Sequence, residues 1–218
     1  MRNEVIRTEP NPDRSQLRFE ETVLSAFAFL TVPPYGFKCE ASEVTLVRYE
    51  SANVFVNIYH GRSSYEIGCE IGLIPERDGI APGHESEGED PEEGFTIWEI
   101  ARFEGAPGID DRTFLQASTA ERVEQLVPQL AQLVRTCASR ALRGDLAYYT
   151  SLGQARTNWF ENYMTDSRLE RARADVARAW QTKNYAEVVR LFEPLTEELT
   201  PAESKKLEYA RKHSTPSR

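Results

Sequence analysis

Residues 64–73 read SYEIGCEIGL, in which Tyr65, Ile67, Cys69, Ile71 and Leu73 alternate with Glu66, Gly68, Glu70 and Gly72. A period of two puts the apolar set on one face of a strand and the other set on the opposite face. Residues 53–60 alternate likewise, with Val54, Val56 and Ile58 against Phe55, Asn57 and Tyr59. Residues 43–50, EVTLVRYE, are equally rich in β-branched and aromatic side chains, and only the short segments SA and GRS separate the three runs. Such runs joined by tight turns predict an antiparallel meander with one buried face. Residues 35–40, YGFKCE, predict a fourth strand.

The period changes on either side of this block. In residues 14–31, Leu17, Val23, Leu24, Phe27 and Leu30 form one helical stripe, which the VPP at 32–34 stops. Residues 1–13 have two prolines and no periodicity, and read as an extended tail. Residues 95–103, FTIWEIARF, fit both periods. Phe95, Ile97 and Glu99 alternate, while Ile97, Ile100 and Ala101 suit a helical turn, so strand and short helix both stand.

After GAPGIDD at 105–111 the pattern is helical to the end. Ser118-x-x-Glu121, Ser167-x-x-Glu170 and Thr200-x-x-Glu203 match the capping box, in which a hydroxyl and a carboxylate satisfy free N–H groups at a helix start. Pro201 then occupies the first helical position, where its missing donor is not needed. The first helix is expected to reach about Leu142, with Val123, Leu126, Val127, Leu130, Leu133, Val134 and Cys137 inward. Pro128 should kink it or mark its start. Gly144 ends it and Asp145 caps the next, which carries Leu146, Tyr149, Leu152, Trp159, Phe160 and Tyr163, with Arg156 on the same side. Helices at about 168–182, 185–198 and 201–213 should follow, then a frayed tail at 214–218. The class is α+β: an N-terminal helix and small antiparallel sheet over 14–111, then an all-helical domain over 112–213.

Within the helical half, KNYAEVVRLFEPL places Tyr185, Val188, Phe192 and Leu195 at spacings of three, four and three. With Ala172 and Ala179 as small contacts of a preceding helix, residues 168–212 resemble a single tetratricopeptide-type hairpin. The match departs at Lys183, where that repeat has glycine, at a valine in place of a small residue, and at Pro201, which is displaced. No second copy recurs at a fixed period, and a solenoid needs about three. The resemblance implies packing of a helix pair and a peptide-binding groove. It covers about a fifth of the chain and assigns no family to the whole.

Composition narrows the function classes. The 218 residues carry a net charge of -9, unevenly: residues 1–134 hold 24 acidic and 11 basic side chains, whereas residues 135–190 hold 10 basic and 6 acidic. A front half this acidic repels phosphate backbones, so nucleic acid is not the expected partner. The basic stretch, with Arg135, Arg140, Arg143 and Arg156, reads as the solvated face of helices and keeps only a local nucleic-acid contact open. No apolar run is long enough for a membrane span, and the N-terminus lacks the apolar core of a secretory signal. Cys39, Cys69 and Cys137 are too scattered for zinc or a disulfide framework and read as reduced thiols in a cytoplasmic core. Arginine outnumbers lysine 21 to 5, a bias expected of a GC-rich bacterial genome.

The acid concentrates in residues 76–94, with eight carboxylates against one arginine. Glu85, Glu87, Glu89, Asp90, Glu92 and Glu93 lack the ligand offsets of a calcium loop, so no metal is expected. A solvated connection is the first reading and an electrostatic lure for a basic partner the second.

Enzyme motifs are missing: there is no P-loop, GxGxxG, GxSxG or HExxH. His60, His84 and His213 are far apart in sequence. A pairing of His60 with Cys69 is conceivable across neighbouring strands, but Cys69 falls on the apolar face. Glu66 and Glu70 share a face about 13 Å apart along the strand, too far for a glycosidase pair. They read as strand charges paired with Arg48 or Arg62. Gly68 and Gly72 beside them allow another backbone close. With Phe55 and Tyr59 on the same side, this face is the candidate partner surface, unless a helix of the same chain covers it. The expected function is non-enzymatic protein binding without a cofactor. In size, acidity and α+β make-up the chain is similar to bacterial toxin-immunity proteins, and an adaptor in a larger assembly fits equally. The rival is an enzyme with a site at His60, Arg62 and Glu66.

Overall fold

The computed structural model describes residues 14–61, 64–75, 94–109 and 115–214. The tail over 1–13, the acidic residues Glu85, Glu87, Glu89, Asp90, Glu92 and Glu93, His84 and Arg62 lie outside these. The class is α+β. Among the described residues the strands are β1 (Lys38–Glu43), β2 (Leu46–Glu50), β3 (Val54–His60), β4 (Glu66–Leu73), β5 (Gly94–Thr96) and β6 (Leu115–Gln116). The helices are α1 (Phe19–Ala26), α2 (Ile97–Phe103), α3 (Ala120–Cys137), α4 (Ser139–Leu142), α5 (Leu146–Gln181), α6 (Tyr185–Phe192) and α7 (Pro201–His213), with 3-10 turns at Arg14–Leu17, Ala28–Thr31 and Glu193–Leu195. Composition changes character near residue 111, but packing divides the chain between residues 154 and 155, because α3, α4 and the start of α5 share the core of the sheet.

In the first unit the sheet runs β1-β2-β3-β4-β5, all antiparallel, with β6 also on β4. The predicted meander is present with shifted ends. Val44 and Thr45, expected in a strand, form the β1–β2 turn, so β1 covers 38–43 rather than 35–40. One face of the sheet carries Val47, Tyr49, Val54, Val56, Ile58, Ile67, Cys69 and Ile71, all in one core with Val23 and Phe27 of the N-terminal segment, Ile97 and Ile100 of α2, and Val123, Val127, Leu130 and Val134 of α3. Burying each of these large aliphatic side chains contributes about 1.5–3 kcal/mol. Cys69 and Cys137 are buried, but Cys39 is exposed, because the core ends at β2 and Cys39 sits at a bulge on the edge strand.

The N-terminal helix is not continuous. Arg18 takes a left-handed conformation (φ 54) between the first 3-10 turn and α1. Both Leu17 and Phe19 are buried. On an unbroken helix they would point about 200° apart, so the backbone breaks to turn both inward. Arg18 then pairs with Glu21 at 3.1 Å and with Glu124 of α3 at 2.8 Å. Leu24, expected in the stripe, is exposed.

Residues 95–103 are strand and helix in turn. Thr96 ends β5 and caps α2, accepting from Glu99 N at 3.3 Å while Glu99 Oε2 accepts from Thr96 N at 2.8 Å. α3 starts one residue later than expected: Thr119, not Ser118, accepts from Arg122 N at 3.3 Å. Pro128 lies inside α3 rather than at its start. It faces solvent, so the carbonyl left without its helical donor is open to water. Gly144 (φ 70) ends α4, and Asp145 accepts from Tyr148 N at 3.1 Å to cap α5.

The second unit holds the later part of α5, then α6 and α7. Ser167 caps nothing. It lies inside α5, a single 36-residue helix where two had been expected. Extending a helix adds one bond per residue fixed, whereas a new start must nucleate again. Ala172, Val176, Ala179, Val188, Phe192, Leu207 and Ala210 form a separate small core, with Tyr185 and Leu195 packed against it. The predicted hairpin spacing is therefore present, but α6 ends at Phe192 and a 3-10 turn follows. Lys183, where glycine was expected, does adopt the left-handed turn (φ 57), and Asn184 caps α6. The Thr200–Glu203 capping box and Pro201 at the start of α7 are as predicted. Arg173 on α5 donates to Glu203 at 2.6 Å. That hydrogen bond, helped by the donors of Thr200, holds the Glu203 carboxyl down at about 2.

Candidate binding surface

Register fixes the face opposite the core. Phe55 pairs with Gly72, Asn57 with Glu70 and Tyr59 with Gly68 across β3 and β4. Arg48 stands opposite Asn57 and Glu50 opposite Phe55, while Thr96 flanks Glu70 and Gln116 flanks Glu66. The six sequence-selected residues, Phe55, Tyr59, Glu66, Gly68, Glu70 and Gly72, therefore do share one face. They do not share one environment. Phe55 is only 1% exposed, outside the main core, beneath the Arg48 guanidinium at 4.7 Å. Arg48 donates to Glu50 at 2.5 Å and to Asn57 Oδ1 at 3.3 Å. It is not paired with Glu66 or Glu70 as expected, because Glu50 lies two residues along its own strand on the same face.

Tyr59 lies across Gly68: any Cβ at residue 68 would collide with the end of the Tyr59 ring. Gly94 likewise makes room for the Glu70 side chain. Burial first, then the nearby carboxylates Glu66, Glu70 and Glu99 together with Cys69, push the Tyr59 phenol up to about 12. Tyr59, Glu66 and Glu70 are half-buried. Among the described residues neither Glu66 nor Glu70 is ion-paired. Sequence alternation selected the aromatic, glycine and acidic members. It missed the role of Arg48 as the cover of Phe55, for which the signal was an arginine on the same face one strand away.

Of the residues suggested for an enzyme, Arg62 lies outside the described residues, and His60 and Glu66 do not share a face. His60 pairs with Ile67 and is buried, its ring stacked on Phe19 at 5.4 Å, whereas Glu66 faces the other way beside Gln116. Arg14 donates to His60 Nδ1 at 2.8 Å, so the proton sits on Nε2, which donates to the Ala117 carbonyl at 2.8 Å. Burial, with Arg14 adding to it against the Ala117 bond, lowers the His60 pKa. Cys69 stands opposite Ile58 rather than His60, and burial raises its thiol far above the usual range. Two open concavities, of 490 and 630 Å³, contain none of His60, Tyr59, Glu66 or Glu70. Among the described residues no cluster of three His, Cys, Asp or Glu is placed to hold a metal ion.

Of the basic-stretch arginines, Arg135 lies over Phe29 at 4.3 Å and Arg140 pairs with Asp145 at 2.8 Å. No helix among the described residues is long and apolar enough to cross a membrane. No protein-family model, curated protein or solved structure matches this chain.

Proposed function

We propose that the chain is a non-catalytic protein-binding module that presents the outward face of β2, β3 and β4 to a basic protein surface. The observation that carries this reading is the seating of Tyr59 on Gly68, between Glu66 and Glu70. An aromatic ring held in place by the backbone is ordered before binding, and half-buried tyrosines are frequent anchors of interfaces. The adjacent carboxylates suit arginine or lysine from a partner, and acidic surfaces speed encounter with basic ones. The acidic stretch joins β4 to β5, whose Gly72 and Gly94 are register partners, so its charge is tethered to this sheet. Neutralisation of a basic protein, as in toxin-immunity pairs, and adaptor duty in an assembly are both forms of this role. A reducing, cytoplasmic setting goes with it, since all three cysteines are free thiols.

The test is affinity purification from the native host with the wild type, with Tyr59→Ala, with Glu66→Lys/Glu70→Lys and with residues 84–93 deleted. Circular dichroism confirms the fold of each. The face variants should lose the partner, and the deletion should slow association most at low salt. Folded face variants that retain every partner would sink the proposal.

A further inference from the structure

The outward face of the sheet carries one arrangement twice, once complete and once open. Phe55 and Tyr59 of β3 each stand opposite a glycine of β4, Gly72 and Gly68 respectively. Asn57 lies between them on the same face, and its register partner on β2 is Arg48. Arg48 is therefore one two-residue step, about 6.7 Å along the strand, from the level of either ring. It lies over Phe55, at 4.7 Å from the ring centre, and its Nε donates to Glu50 at 2.5 Å on that side. Ring, guanidinium and carboxylate close on one another, and Phe55 is buried.

Tyr59 has the ring and the acids but no guanidinium. Its register partner on β2 is Leu46. Glu66 and Glu70 flank Gly68 on β4, each about 6.7 Å from it along the strand. Glu99 of α2 adds a further negative charge near the phenol. Among the described residues no cation lies over the Tyr59 ring, and neither Glu66 nor Glu70 has an ion-pair partner.

A group that completes this site must be cationic and flat enough to lie on the ring. The donors of a guanidinium lie in its own plane, so one resting on Tyr59 points them sideways at the acids that flank Gly68. An ammonium is a more strongly hydrated point charge with no face to stack.

We infer that Tyr59, Glu66 and Glu70 form a receptor for one arginine side chain of the partner, which repeats from outside what Arg48 does on Phe55. The inference rests on the protein-binding reading above and adds to it the residue that is recognised.

Nuclear magnetic resonance of the full chain at low salt tests it, with blocked Gly-Arg-Gly and Gly-Lys-Gly as probes and the backbone amides of Asn57 and Gly68 as the readout. The arginine peptide should shift both amides saturably and bind about tenfold more tightly than the lysine peptide. Glu66→Gln/Glu70→Gln should weaken the arginine peptide about tenfold. Tyr59→Leu should remove the preference for arginine, and Tyr59→Phe should keep it, because the ring face and not the hydroxyl is used. Amides that do not move, equal binding of the two peptides, or a preference that survives Tyr59→Leu overturns the inference. If the Tyr59→Leu chain does not fold, undiminished arginine binding by Glu66→Gln/Glu70→Gln overturns it instead. The two readings fail separately. Equal binding of the peptides, with host partners still lost from the face variants, sinks the arginine receptor alone. Host partners retained by folded variants that have lost the arginine peptide sink the protein-binding reading alone.

Discussion

Tyr59 rests on Gly68 because register places them opposite each other and residue 68 has no Cβ to lift the ring. Gly68→Ala should therefore swing Tyr59 away from the sheet. The clash is with the far end of a side chain that can rotate, so stability should fall by only about 1 kcal/mol or less. The phenol should titrate closer to 10 than to about 12. Absorbance titration reads the change, and an unmoved phenol would show that residue 68 does not set the ring.

His60 predicts an acid-side loss of stability in the first unit. Its pKa in the fold is lowered below 6.5, so the unfolded chain takes up the proton first. The stabilisation is complete above 6.5 and declines as pH falls below it towards the folded value. His60→Phe retains a ring against Phe19 but removes the donor to the Ala117 carbonyl and the acceptor for Arg14. It should cost about 1–3 kcal/mol at neutral pH and flatten the slope below 6.5. Urea melts across that range check both parts.

Lys183 holds a left-handed turn between α5 and α6. A lysine there bears a steric penalty that glycine does not. Lys183→Gly should stabilise the second unit by about 1 kcal/mol, seen as a higher melting temperature. A neutral or destabilising result would mean that the lysine side chain contributes contacts which offset the strain.

The start of α3 separates two adjacent hydroxyls. Thr119→Ala should cost about 1 kcal/mol by removing the acceptor for Arg122 N. Ser118→Ala should change stability by less than about 0.5 kcal/mol. Chemical denaturation of the two variants side by side decides it, and the reverse order would move the cap to Ser118.

The strands were legible because β3 and β4 alternate without interruption, and a period of two admits one buried face. The candidate surface followed from that alternation. The ends of elements were less legible. Ser118 and Thr119 both carry a hydroxyl, and only the path of the chain decides which meets the N–H of residue 122. Ser167-x-x-Glu170 satisfies a local pattern that a continuous helix overrides. Within residues 95–103 two periods coexist because strand and helix follow one another, with Thr96 serving both.

Local order was thus determined by the sequence alone: the meander, the helical second half, the Thr200 cap and the sharing of one face by Tyr59, Glu66, Gly68 and Glu70. Periodicity and capping act over a few residues, so they can be read in order. Tertiary structure alone decided that Arg48 covers Phe55, that Arg14 and Ala117 fix the proton of His60, and that α3 belongs with the sheet. Each of these is a contact between elements far apart in the chain.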